Sequence, residues 1–172
     1  VDNFCNATDK IAAHFHEWMT AAGGLHLRKH APYVATLFTT HATVMGRCIA
    51  GNGLPLYNDL AKFNADELAR QFNVVAKHSI EKMAATYHDA FLTVSDITPN
   101  ECKSLLGREP DGITPNRFEN DVVWTGEEYD AKRAEARTAM ISVAEACLGH
   151  KFRKEPLIVG TSGRYEFRNK GI

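Results

Sequence analysis

The sequence lacks most of the short patterns that announce chemistry. No C-x-x-C occurs among its four cysteines, which excludes a zinc ribbon or a thioredoxin-like redox pair. There is no G-x-x-x-x-G-K-[ST] or G-x-G-x-x-G to cradle a phosphate, and no H-E-x-x-H. Gly160-Thr161-Ser162-Gly163 has the wrong spacing for a nucleophile elbow. No segment approaches the ~20 apolar residues of a membrane helix, and no secretory h-region is seen. Charge of one sign is also missing: the net charge is −1 and the pI about 6.8. A nucleic-acid surface would want a strongly basic face. The one basic cluster, His150 to Lys154, is short, sits beside Glu155 and reads as a solvated turn. These absences predict a structural or binding protein, not an enzyme, with no cofactor and no nucleic-acid partner.

What is present fits one domain. The 172 residues are 44% hydrophobic and 24% charged, the balance of an ordinary globular protein. The start at Val1-Asp2-Asn3 is expected of a processed or N-terminally trimmed chain. Asn6-Ala7-Thr8 matches a glycosylation sequon, a triplet that often arises by chance.

Cys5, Cys48, Cys102 and Cys147 form two widely separated pairs. An even count at long spacing points to two structural disulfides in an oxidising compartment, the other possibility being four buried free thiols. Each bridge would close about 45 residues and stabilise by roughly 4 kcal/mol in the chain-entropy model. Three connectivities exist; Cys5–Cys48 with Cys102–Cys147 is favoured because each half then owns a staple.

Along the chain, Thr8 to Ala22 is expected to be a helix, with Ile11, Phe15, Trp18 and Met19 on one face and Gly23-Gly24 as its end. Pro32 to Ile49 is a second expected helix, stopped by Gly51-Asn52-Gly53. A Cys5–Cys48 bridge would make the two an antiparallel hairpin. Tyr57 to Arg70 is ambiguous, with Asn64 a candidate cap. Phe72 to Ile80 and Ala90 to Ser95 are expected strands, with Glu81 to His88 as the connection or as strand extensions. Thr98-Pro99-Asn100-Glu101 has the form of a capping box opening a short helix that ends at Gly107. Residues 108–120 are expected to be a loop, Val122 to Trp124 a strand, and Glu127 to Leu148 an alanine-rich helix closed by Gly149. Strands at Pro156 to Val159 and Tyr165 to Phe167, around a turn at Thr161-Ser162-Gly163, finish the chain. The division is thus 1–50 helical and 72–172 α+β.

Five of eight histidines lie before residue 42: His14, His16, His26, His30 and His41. His26 and His30 have the i, i+4 spacing of metal ligands on one helical face. A third ligand would have to be His14, His16 or Glu17, brought close by the fold. Exposed histidines flanking a turn are the simpler expectation. Glu127-Glu128 is placed to complement a helix dipole.

The segment Ala90 to Leu106, a strand followed by a helix carrying Cys102, resembles the strand-then-helix part of type IVb pilins. Ala139 to Cys147, followed by Leu157-Ile158-Val159, resembles the close of that family's disulfide-bounded region. The likeness spans residues 72–167. It implies a Cys102–Cys147 bridge, region 102–147 bounded by it, and N-terminal helices packed on an antiparallel sheet. The implied function is a non-catalytic subunit of an extracellular or periplasmic fibre. Its partners would be other pilin subunits and a host or recipient-cell surface, with a membrane touched only through a missing N-terminal helix. Arg108, Asp111, Arg117 and Glu119 in the exposed loop would supply the contacts. The chain departs from the family in its Gly23-Gly24 break, its extra pair Cys5 and Cys48, and its lack of the long apolar helix. A secreted disulfide-bonded binding module and a metalloenzyme centred on His26 and His30 are the alternatives.

Overall fold

The computed structural model describes residues 5, 6 and 8–160. They fall into two compact units, Val1–Asn116 and Arg117–Ile172. The first unit is an α/β layer built on a four-stranded, wholly parallel sheet of order β1-β2-β3-β4. Its strands are β1 (Ala12–His16), β2 (Ala35–Thr40), β3 (Ala90–Thr93) and β4 (Gly112–Ile113). The helices are α1 (Glu17–His30), α2 (Val44–Gly51), α3 (Ala65–Gln71), α4 (Val75–Tyr87) and α5 (Thr98–Glu101), the last continued by a π-type turn over Cys102–Leu106. The antiparallel, disulfide-stapled head is therefore overturned. Parallel strands need long crossovers, and here helices fill every gap between β1, β2 and β3.

The first expected helix is instead a strand and a helix. Ala13 and Phe15 are partly buried while Ala12, His14 and His16 are exposed, a period of two that suits β1 in register with Ala35 to Thr39. The glycine pair does not end the helix; it lies inside α1. A Cβ on Gly23 would sit 3.3 Å from the Phe15 ring, and one on Gly24 would overlap the His88 imidazole. These glycines let α1 approach the sheet closely. The second expected helix likewise divides. Ala35-Thr36-Leu37-Phe38-Thr39-Thr40 is rich in β-formers and becomes β2. Thr43 then caps α2, its hydroxyl accepting the Gly46 N–H at 2.8 Å. The predicted stop at Gly51-Asn52-Gly53 coincides with the end of α2.

Phe72 to Ile80 is not a strand. From Val75 it is α4, whose buried residues His78, Glu81, Ala84 and Ala85 recur at helical spacing. Burial of that face overrides the β-propensity of Val74 and Val75. Asn64 does cap α3, accepting the Glu67 N–H at 3.2 Å. The 90–95 strand is present as β3. The expected capping box is not: Ile97 stands at the N-cap with no side-chain bond, Thr98 is already the first helical residue, and Glu101 turns inward.

Because the strand order is sequential, α1 and α4 lie side by side. The core between them and the sheet holds Ala21, Phe38, Ala84, Ala85, Phe91, Cys102 and Leu106. Met45, Ile49, Leu56, Ala65, Ala69 and Leu105 form a second core under α2 and α3. All four cysteines are free thiols. Cys102 is a core residue whose thiol burial pushes up, so it serves packing, not a staple.

The amino edge of the sheet is tied by ions. Asp89 accepts the Thr36 N–H at 2.7 Å and pairs with Arg28; those partners hold its carboxyl below the usual range. Arg108 donates to the carbonyls of Ala85 at 2.6 Å and His88 at 3.3 Å, and to Asp111 at 2.6 Å. Asp111 in turn accepts the Phe91 N–H at 2.7 Å. Arg108 and Asp111 thus form a latch within the chain.

In the second unit, α6 (Gly126–Leu148) matches the expected helix, with Gly149 left-handed at φ 72°. A 3-10 turn at Asn120–Val122 stands where a strand was expected. No strand forms at 156–159. Arg117 and Glu119 pair with each other at 3.7 Å on the surface. The expected turn at 161–163 and strand at 165–167, and Ala7 of the sequon, lie outside the described residues.

Gly24→Ala is expected to destabilise the protein by about 2 kcal/mol, overpacking against His88 outweighing the gain in helix propensity. Chemical denaturation of the variant checks this; a variant as stable as the parent would contradict it.

Candidate functional site

In open α/β sheets, ligands bind beyond the carboxyl ends of the strands. Here that edge collects His16 from the end of β1, Glu17 from the start of α1, Thr40 and His41 from the end of β2, and Arg47 from the first turn and a half of α2. The backbone turns sharply to place Glu17: its φ is +63°, the left-handed region that non-glycine residues rarely adopt. That conformation stores strain of order 1 kcal/mol and is typical of a residue held for function.

Glu17 organises the edge. Its Oε1 accepts the His41 N–H at 3.2 Å and an Arg47 guanidinium N–H at 3.1 Å. Its Nε donates to the Ala42 carbonyl at 3.4 Å, and with the Arg47 side chain 45% exposed its other nitrogen is open to solvent. His16 and His41 meet through their ring nitrogens at 3.3 Å. His14, two residues back on the same face of β1, lies against His16 with ring centroids 4.2 Å apart and planes tilted by 37°, and meets the Thr39 hydroxyl at 2.7 Å. Desolvation, then the neighbouring His16, lowers the pKa of His14. Three imidazoles, a carboxylate and a guanidinium thus make a continuous polar row, suited to grip an anion and hydroxyl groups together.

Below the row lie two buried carboxylates. Glu81, fully buried on α4, accepts the Val44 N–H at 2.8 Å and the Thr40 hydroxyl at 3.0 Å. Burial pushes its pKa from 4.5 up to about 7, against the pull of those two donors. Glu101, 2% exposed, accepts the Thr43 N–H at 3.3 Å and hydroxyl at 3.1 Å, and the Tyr57 hydroxyl at 2.5 Å. The Val44 and Gly46 N–H groups at the start of α2 are therefore already taken by the protein itself. An incoming anion must be met by side chains, chiefly Arg47.

The sequence-predicted metal pair lies elsewhere. His26 and His30 stack at 4.3 Å near the C-terminus of α1, which runs back toward the amino edge. Among the described residues, no group of three or more His, Cys, Asp or Glu could hold a metal ion. His14, His16 and His41 were visible as histidines, but Glu17, Arg47, Glu81 and Glu101 were not singled out. The signal that could have found the site is the alternation over Ala12 to His16 followed by the β-rich run ending in Thr40-His41.

Glu81→Gln is expected to change the pH dependence of stability. A carboxyl whose folded pKa is raised stabilises below its unfolded value of 4.5, and that contribution is lost as pH rises to about 7. Relative to the parent, the glutamine variant should therefore gain stability between pH 4.5 and 7, and parallel melts across that range check it.

The family model described as glycogen synthase matches residues 1–172. A "Glycogen [starch] synthase" of Dictyostelium discoideum is 37% identical over 174 residues, covering 97% of this chain and 20% of the relative. The yeast Saccharomyces cerevisiae "Glycogen [starch] synthase isoform 2" is 35% identical over 94% of this chain and 23% of its own length. The "Glycogen [starch] synthase, liver" of Rattus norvegicus is 32% identical over 94% of this chain and 23% of its own length. The chain thus spans between a fifth and a quarter of these relatives. The pilin likeness falls on these matches, and with it the fibre-subunit function, the pilin and cell-surface partners and the non-enzymatic expectation. The secreted binding module and the histidine metalloenzyme fall as well. The extracellular or periplasmic placement rested on disulfides and on that likeness, and neither stands. By a match running its whole length, the chain belongs to the glycogen synthase family.

Proposed function

We propose that this chain forms part of the active site of a cytosolic glucosyltransferase that extends glycogen, its polar row gripping a nucleoside-diphosphate glucose such as UDP-glucose. The observation that carries this is the Glu17–Arg47–His41–His16 row at the carboxyl edge of a parallel sheet. Membership of the family supplies the substrate class. In the transfer, the bond from the anomeric carbon to the diphosphate oxygen breaks. A new bond forms to a hydroxyl at a glycogen chain end, whose proton is released, and the nucleoside diphosphate leaves.

Each residue has a chemical task in such a step. Charge builds on the diphosphate as it departs, and a guanidinium offers paired donors to phosphate oxygens. Arg47 is the cation placed for this, and Glu17 fixes its orientation. His16 and His41 present ring nitrogens suited to sugar hydroxyls. Neutral His14 sustains the row without adding charge.

Two outcomes are expected, with the complete gene product that carries these residues. The parent should move glucose from UDP-glucose to glycogen, and Arg47→Ala should lower kcat/KM by about 100-fold, the scale of losing one preorganised charge contact. Arg47→Lys should recover little, since a point charge cannot replace a bidentate fork. A parent that transfers no glucose, or an Arg47→Ala variant of full activity, would sink the proposal. Separately, Glu17→Gly relieves the positive φ but removes the bonds to the His41 N–H and Arg47, so stability should fall by no more than about 2 kcal/mol, while activity falls at least 10-fold. Thermal melts and initial rates on the same sample read both effects.

A further inference from the structure

The connection between β2 and α2, residues 41–43, together with the start of α2, carries His41 and Arg47 to the site. It is fastened from beneath by Glu81 and Glu101, which come from different helices. Glu81 spans the connection, binding Thr40 before it and the Val44 N–H after it. Glu101 binds Thr43 through both its N–H and its hydroxyl, and a second carboxylate oxygen is held by Tyr57. Gly46 completes the seat: a Cβ there would collide with the Glu101 carboxylate. Among the described residues, neither carboxylate is paired with a cation within salt-bridge distance.

Burying a carboxylate without a cation is costly, and apolar replacements are often as stable or more so. Two such groups on one short connection are poor devices for stability alone. They are good devices for fixing position, because each offers oxygens that must meet particular backbone N–H groups. We propose that Glu81 and Glu101 are positioning residues for the transfer reaction, setting where Arg47 and His41 stand relative to Glu17. Neither is accessible to a ligand. They act only through the connection, and a displacement of about 1 Å in such a group can cost on the order of 100-fold in rate. The inference rests on the glucosyltransferase reading given above.

The test uses Glu81→Met and Glu81→Gln in the complete gene product, with UDP-glucose and glycogen as substrates. Methionine matches glutamate in length but accepts no strong hydrogen bond. Glutamine can take the Val44 N–H on its amide oxygen and donate to Thr40 from its nitrogen. The methionine variant should melt cooperatively and lose at least 10-fold in kcat, with KM for UDP-glucose moving less than 3-fold. The glutamine variant should recover activity to within 3-fold of the parent. In the methionine background, Arg47→Ala should cost less than it does in the parent, since the two act through one geometry. Tyr57→Phe, a change at a half-exposed side chain that leaves folding intact, should lower kcat about 3-fold by freeing Glu101. An active parent with undiminished kcat in both Glu81→Met and Tyr57→Phe overturns the inference. If Glu81→Met does not fold, Tyr57→Phe decides alone. A parent that transfers no glucose overturns the enzymatic reading, and the positioning role with it.

Discussion

Between Thr40 and Arg47 the chain must leave a strand, turn, and start a helix, and Thr43 to Gly46 do so inside the protein, where their N–H groups cannot reach water. Glu81 and Glu101 meet that requirement. Their oxygens take the Val44 and Thr43 N–H groups, and the Thr43 hydroxyl takes that of Gly46. An unmet buried N–H costs free energy comparable to a lost hydrogen bond. The connection therefore has one low-energy seat, and His41 and Arg47 inherit their places from it. Glu17, at the start of α1, is positioned by its own left-handed turn and closes the row from the other side.

The two ends of the sheet divide the work. At the amino edge, Arg28 with Asp89 and Arg108 with Asp111 saturate strand N–H groups and helix carbonyls with charged side chains. Those ions are partly exposed but bound to partners of their own chain. At the carboxyl edge the polar groups are incompletely used and face solvent, as a binding edge requires. Between them, Phe38 and Phe91 stack at 5.6 Å and His88 fills the space left by Gly24. The close approach of α1 to the sheet thus depends on a residue with no side chain.

The likeness to pilins arose from real elements read in the wrong context. A strand at Ala90–Thr93 and a helical segment carrying Cys102 do follow one another. In a parallel sheet the same order belongs to a strand and its crossover, and Cys102 is a core thiol. Even cysteine number was equally misleading: spacing in sequence says nothing of spacing in the fold, and all four remain thiols.

Local chemistry was legible where a residue acts on its immediate neighbours. Asn64 caps α3, Gly51-Asn52-Gly53 ends α2, Gly149 ends α6, and Ala90–Thr93 is a strand, each for a reason contained within a few residues. What depends on distant partners was not legible. Ile11 to His16 satisfies a helical period and an alternating one at once, and only pairing with β2 selects the strand. Val74 and Val75 favour a strand, yet burial of Glu81, Ala84 and Ala85 makes α4. The site belongs to the second kind, because Glu17, His41, Arg47, Glu81 and Glu101 lie on separate elements with no shared motif. The sequence by itself determined caps, stops and the chemical inventory, since these follow from local backbone sterics and side-chain type. The tertiary structure alone decided the parallel order and the polar row, since both require groups tens of residues apart to satisfy each other's hydrogen bonds out of water.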